Sequence, residues 1–259
     1  MTPDHSLITE LRGWYERYID GFYARYPEKR SDFKLKDDHT LRVCVEMELL
    51  GKELCMSETD LILAQIIALF HDIGRFEQIA RFGTLVDSKS VNHAVLGVQL
   101  LREYGVLEEL EQETQVVVLG AISYHNLPSL PADGPERVLF FCKLLRDADK
   151  LDIYHIATGY YSGSSFLDDV DVKILLPDTP GITEDIYRDL LQRKSVSYTR
   201  LRTLNDFKLL QMNWVYDINF APSLRAVARR GYIDTIYGTL PRCEQTQRIY
   251  DAVKKHLDA

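Results

Sequence analysis

Cysteine is scarce in this chain of 259 residues: Cys44, Cys55, Cys142 and Cys243 are the only four, and none forms a C-x-x-C pair. Cys44 and Cys55, if on one helix, stand about 16 Å apart along its axis, out of disulfide reach. None has the placement of a catalytic thiol beside a histidine. Long apolar runs are also missing. The longest, Leu61 to Phe70, includes Gln65 and amounts to about half a membrane span. Asp4, Glu10 and Arg12 stand where a signal peptide would need apolar residues. There is no basic excess: 31 Lys and Arg against 39 Asp and Glu leave a net charge of -8. That balance argues against a general polyanion binder, and the basic stripe of a nucleic-acid interface is lacking. The 15 tyrosines are spread along the chain and form no stacking platform. These absences predict a reduced, cytoplasmic protein with neither a nucleic-acid nor a membrane partner.

What is present is an ordinary globular balance, 46% hydrophobic and 27% charged. A chain of this length buries roughly 70–75% of its unfolded surface and needs no covalent staples. Strand signals are scarce and the dominant period is helical, so the fold class is all-α. Helices are predicted over 5–26, from near Asp37 to about Leu54, and from Ser57 through the apolar run, with Ser57 and Asp60 as a capping box and Gly74 as the stop. Residues 75–88 read as a loop. Further helices are predicted at 89–104, 111–125, 136–156, 184–194 (capped by Thr183), 203–219, 223–237 and 243–257. A boundary near 160 separates a core, 1–160, from C-terminal helices, 161–259, that pack on it.

Four histidines interrupt apolar helix faces. His39 shares a face with Val43, Met47 and Leu50, and His93 with Leu96, Gly97 and Leu100. His125 continues the row Val118–Ile122, and His71 ends the most buried helix. A single such histidine is usually a hydrogen-bonded core residue. Four pointing inward need partners, and a shared metal satisfies several at once. Asp72 falls in the last turn of the apolar helix, where dipole and burial both disfavour a carboxylate unless a divalent cation sits there. In the segment Arg146 to Asp152, Asp149 aligns with Cys142, Leu145 and Ile153 and faces the core. Asp147 falls on the polar side with Lys143 and Lys150, and Asp152 is intermediate. Basic residues near these groups are Arg75, Lys89, Arg146 and Lys150, candidates for phosphate contacts.

The order His39, His71-Asp72, then Asp149 within Ala148-Asp149-Lys150-Leu151 resembles the HD superfamily of metal-dependent phosphohydrolases, over roughly residues 35–155. The resemblance implies a helical bundle in which His39, His71, Asp72 and Asp149 are the primary metal ligands. In the subset that resembles binuclear members, His93 and His125 hold a second ion and Asp72 bridges both. Alternatively, those two histidines contact phosphate or protonate the leaving group. Binuclear cyclic-dinucleotide enzymes carry a His-His pair where this chain has Tyr124-His125, and a Gly-Tyr-Pro motif that is missing here.

The activity implied is hydrolysis of a small phosphate ester, a nucleotide or related metabolite, by metal-activated hydroxide attack on phosphorus. Mn, Fe, Co, Ni or Zn suits the mixed imidazole and carboxylate ligands better than Mg, with one or two ions. His93, His125 or Lys89 protonates the leaving oxygen, and basic side chains neutralise the phosphoryl oxygens. Two alternatives use the same residues: a di-iron oxygenase of the HD fold, and a regulatory or ligand-sensing helical module stabilised by its metal.

Overall fold

The structure is a computed structural model that describes residues 2–163 and 176–258. Among them every regular element is helical, as the period predicted. They fall into two compact units, Met1–Asp152 and Ile153–Ala259. The Tyr-, Gly- and Ser-rich stretch after Gly159 is described only to Gly163; its remainder lies outside the described residues.

In the first unit, α1 (His5–Arg25), α2 (Arg30–Glu53) and α6 (Gln112–Tyr124) surround α3 (Glu58–Phe70). Every residue of α3 from Ile62 to Phe70 is buried, so this helix is the axis of the unit. Ser57 caps it by accepting from the Asp60 N–H at 3.2 Å. The single polar residue of that buried stretch, Gln65, donates to the Cys44 carbonyl at 2.6 Å and accepts from Arg12 at 2.8 Å. Tyr15, Phe22, Phe33 and Phe76 form a second centre of aromatic contacts, with ring centroids 5.5–6.2 Å apart, that joins α1 and α2 to the next helix.

That next helix corrects the loop expected at 75–88. The segment Ile73–Phe82 is helical (α4) and ends at Gly83, whose φ of 62° is the left-handed cap. Ile73, Phe76 and Ile79 bury one side of it. Gly74 is not a stop but lies in the first turn of α4, where α4 crosses α5 (His93–Glu103). A Cβ on Gly74 would come within 2.2 Å of the His93 carbonyl oxygen and 2.7 Å of the Gly97 nitrogen. The absence of a side chain is what permits the crossing.

Other boundaries shift. α2 begins at Arg30 rather than near Asp37, after a 3-10 turn at Pro27–Lys29. α5 begins at His93 rather than 89, because Asn92 Oδ1 accepts from the Ala94 and Val95 N–H groups. α7 (Glu136–Tyr161) runs further than expected.

In the second unit, α9 (Leu204–Asn213) packs on α8 (Glu184–Leu191), α11 (Tyr232–Gly238) and α12 (Glu244–Leu257). The helix expected at 203–219 ends at Asn213 and tightens to 3-10 over Trp214–Asp217. The one expected at 223–237 is two, α10 (Ala221–Arg229) and α11, separated by Gly231 at φ 65°. Thr183 precedes α8, but its N–H and hydroxyl go to the buried Asp206 rather than to the helix. All four cysteines are free thiols. No helix of the described residues is long and apolar enough to cross a membrane.

Candidate metal centre

Five segments of the first unit deliver the site. α2 brings His39, the α3–α4 junction brings His71 and Asp72, α5 brings His93 at its first residue, the end of α6 brings His125, and α7 brings Asp149. All four histidines and Asp72 are buried. His71 is the last α-helical turn position after Phe70, whereas Asp72, at φ -107° and ψ 14°, occupies the N-cap position of α4. This modifies the expected electrostatics. The carboxylate lies just past the C-cap of α3, as expected, but also at the N-terminus of α4, where the dipole favours negative charge.

Each imidazole has its Nδ1 committed to an acceptor. His71 Nδ1 donates to the Ala68 carbonyl and His125 Nδ1 to that of Ile122, both at 2.7 Å. His39 Nδ1 donates to Asp152 at 2.6 Å and His93 Nδ1 to Asp87 at 2.8 Å. Carbonyl and carboxylate oxygens only accept, so the proton is on Nδ1 in all four rings and the Nε2 lone pairs point inward. They face each other in pairs: His39 and His71 at 3.3 Å, His93 and His125 at 3.1 Å. Two opposed lone pairs repel unless a cation lies beside them.

Asp72 completes both pairs. Its Oδ2 lies 3.6 Å from His39 Nε2 and 3.7 Å from His71 Nε2. Its Oδ1 lies 3.2 Å from His93 Nε2 and 3.9 Å from His125 Nε2. Asp149 Oδ1 stands 3.2 Å from His39 Nε2, on a side chain 23% exposed, so it borders the opening rather than the core. Ligands about 2.0–2.2 Å from one ion stand roughly 3.0–3.5 Å from each other. The spacing therefore suits a metal, and His39–His71–Asp72 and Asp72–His93–His125 are two buried groups, each able to hold an ion.

Burial is the largest influence on these groups. It pushes the pKa of His93 and of His125 down to about 4, and lowers that of His71. At His39 burial and Lys36 act downward, but the neighbouring carboxylates of Asp149 and Asp152 outweigh them and raise it. At Asp72 burial acts upward and is overcome by Lys36, His71 and Arg75, which hold the carboxyl well below the usual range.

Three residues that spacing did not single out as site residues support the cluster. Lys36 Nζ lies 2.7 Å from Asp72 Oδ2. Asp152, read as intermediate on its helix, is buried and accepts from both His39 Nδ1 and Arg42 Nε. Asp87 accepts from His93, Arg75, Gln78 and Asn126. Such outer partners fix the tautomer and orientation of a ligand. Replacing Asp152 with Asn should lower metal affinity about 10–100-fold, measured by chelator competition, with the helical content unchanged.

The basic candidates divide. Arg75 Nε is 3.5 Å from Asp72 Oδ1, while its Nη1 donates to Gln78, the Leu85 carbonyl and Asp87. Arg146 Nη1 donates to the carbonyls of His125 and Leu127, clamping the end of α6. Lys89 is not one helical turn before His93, since α5 starts at His93; it is exposed on the 3-10 turn Asp87–Lys89. Lys150 is half-buried on α7. Asp147, expected on the polar side, is fully buried, because α7 is covered on more than one side.

The family model of the HD domain matches residues 37–155. This part of the chain is an HD domain. The match runs from two residues before His39 to six beyond Asp149, and so takes in all six residues of the cluster. No curated protein and no solved structure matches the chain. An HD domain with two adjoining His/Asp groups fits a metal-dependent hydrolase in outline.

Proposed function

We propose that this HD domain hydrolyses a small phosphate ester, a nucleotide or related metabolite. The carrying observation is the Asp72 carboxylate, which turns one oxygen to the His39–His71 pair and the other to His93–His125. His39, His71, Asp72 and Asp149 are the residues to hold a first ion, and His93 and His125, sharing Asp72, a second. When bound, Mn, Fe, Co, Ni or Zn supplies Lewis acidity toward a phosphoryl oxygen and brings the pKa of water toward about 7.

The chain's own groups do the rest. Asp152 and Asp87 keep the His39 and His93 rings in one tautomer and one orientation. Lys36, beside Asp72, carries the positive charge placed to attract phosphoryl oxygens, and Arg75 adds a second. His93 and His125 have their Nδ1 protons committed elsewhere, which suits them to ligation rather than to protonating a leaving group. Lys36 is the ammonium at hand for that proton, and Lys89, exposed outside the cluster, is not needed for it. The buried surroundings strengthen each of these interactions.

The test is metal analysis of the purified protein together with phosphate release from nucleoside mono-, di- and triphosphates, in a cell that also records oxygen. The expected result is bound transition metal and phosphate release abolished by a chelator, without oxygen uptake. Oxygen consumption without phosphate release would instead assign a di-iron oxygenase. A loaded protein inert toward the whole panel would assign a regulatory module.

A further inference from the structure

On α2, the face turned away from the bundle carries three large apolar side chains in the open: Leu41, Val45 and Leu49 are 45%, 55% and 46% exposed. Spaced four apart, they form one stripe along the helix. With Val45 as the centre and about 100° per residue, Leu41 and Leu49 lie roughly 40° to either side of it. Seven residues before Val45 stands Asp38, and seven after it Lys52, each about 20° from the same line. Both are at the surface, and each has one ion pair within its own helix, Asp38 with Lys34 and Lys52 with Glu48.

We propose that this stripe is the contact between two copies of the chain, with the two α2 helices antiparallel across a two-fold axis at Val45. The argument is charge complementarity. In that arrangement Val45 meets Val45, Leu41 lies beside the partner copy's Leu49, and Asp38 comes level with its Lys52. The two-fold axis makes each pairing occur twice, so an apolar centre is closed at both ends by opposite charges. The parallel arrangement of the same helices would put Asp38 against Asp38 and Lys52 against Lys52. Like charges so placed are repulsive, which selects the antiparallel register. A surface that satisfies itself in this way is the mark of an isologous interface. A contact resting on one helix face is at the small end of stable interfaces, so the dimer is concentration-dependent.

Sedimentation velocity of the full chain over a concentration series tests this. The expected result is a reversible monomer–dimer equilibrium. Val45→Glu sets a charge against itself on the axis and should weaken the dimer more than about tenfold; at so exposed a position the circular dichroism should not change. Asp38→Lys and Lys52→Asp should each weaken it, and the double variant should restore it. A monomer at every concentration overturns the proposal. So does a dimer indifferent to Val45→Glu, or a double variant no better than its single parents.

Discussion

Asparagine at position 72 is expected to strip the centre of its metal and of any phosphate-releasing activity, while leaving its shape almost unchanged. The substitution keeps the volume of the side chain and removes only its charge. Among the described residues Asp72 is the one within reach of all four inward-facing imidazoles and belongs to both His/Asp groups, so both lose a carboxylate at once. The loss should exceed the 10–100-fold typical of an outer-shell partner. The metal-free protein is affected too. Lys36, whose side chain is only 16% exposed, loses its counter-charge at 2.7 Å, and Arg75 loses one at 3.5 Å. Breaking a largely buried pair costs about 3 kcal/mol. Metal per chain, phosphate release and a urea titration of the metal-free protein check the three parts. Retention of metal and activity in this variant would remove the basis of the site assignment.

Alanine at Gly74 is the second large effect, and it contains a contest of signs. Within a helix, Ala is favoured over Gly by about 1 kcal/mol. Against this, the added Cβ would meet backbone at 2.2 Å and 2.7 Å, the His93 carbonyl and the Gly97 nitrogen. Backbone cannot rotate aside as a side chain does, so α4 and α5 must part. Overpacking of this kind costs about 1–3 kcal/mol and occasionally more, and the clash wins. Because His93 opens α5 and Asp72 caps α4, the parting also stretches their 3.2 Å contact. Gly74→Ala should therefore lose stability by about 2 kcal/mol or more and lower metal content in the same preparation. Gly97→Ala is the control. Its Cβ would meet chiefly the Ile73 side chain at 3.2 Å, which can yield, so the cost should be much smaller.

The site was legible in the sequence where a polar residue broke an apolar row. His39, His71, His93 and His125 each did so, and all four are buried. Two of its supports, Asp152 and Lys36, were not legible, because their partners are distant along the chain. Asp152 reaches back 113 residues to His39, and Lys36 forward 36 residues to Asp72. No spacing rule encodes such pairs. α4 was missed for a different reason: Gly74, Arg75, Glu77 and Arg81 gave the segment a loop-like polarity. Ile73, Phe76 and Ile79 were nevertheless at three-residue spacing, and that signal could have found it. Asp147 was misplaced because the wheel of α7 was given one exposed side. Leu144, Leu145, Ala148 and Leu151 are all buried, so little of the middle of that helix is left for water.

A cylinder greasy on every side has no reason to stop at one angle of roll, and α3 is nearly that. Gln65 is what breaks the degeneracy. Its amide is gripped by the Cys44 carbonyl on one neighbour and Arg12 on another. Six residues on, the azimuth thus fixed decides where the His71 ring aims. The aim of an imidazole in the buried His/Asp cluster is in this way inherited from a glutamine hydrogen-bonded to none of its members.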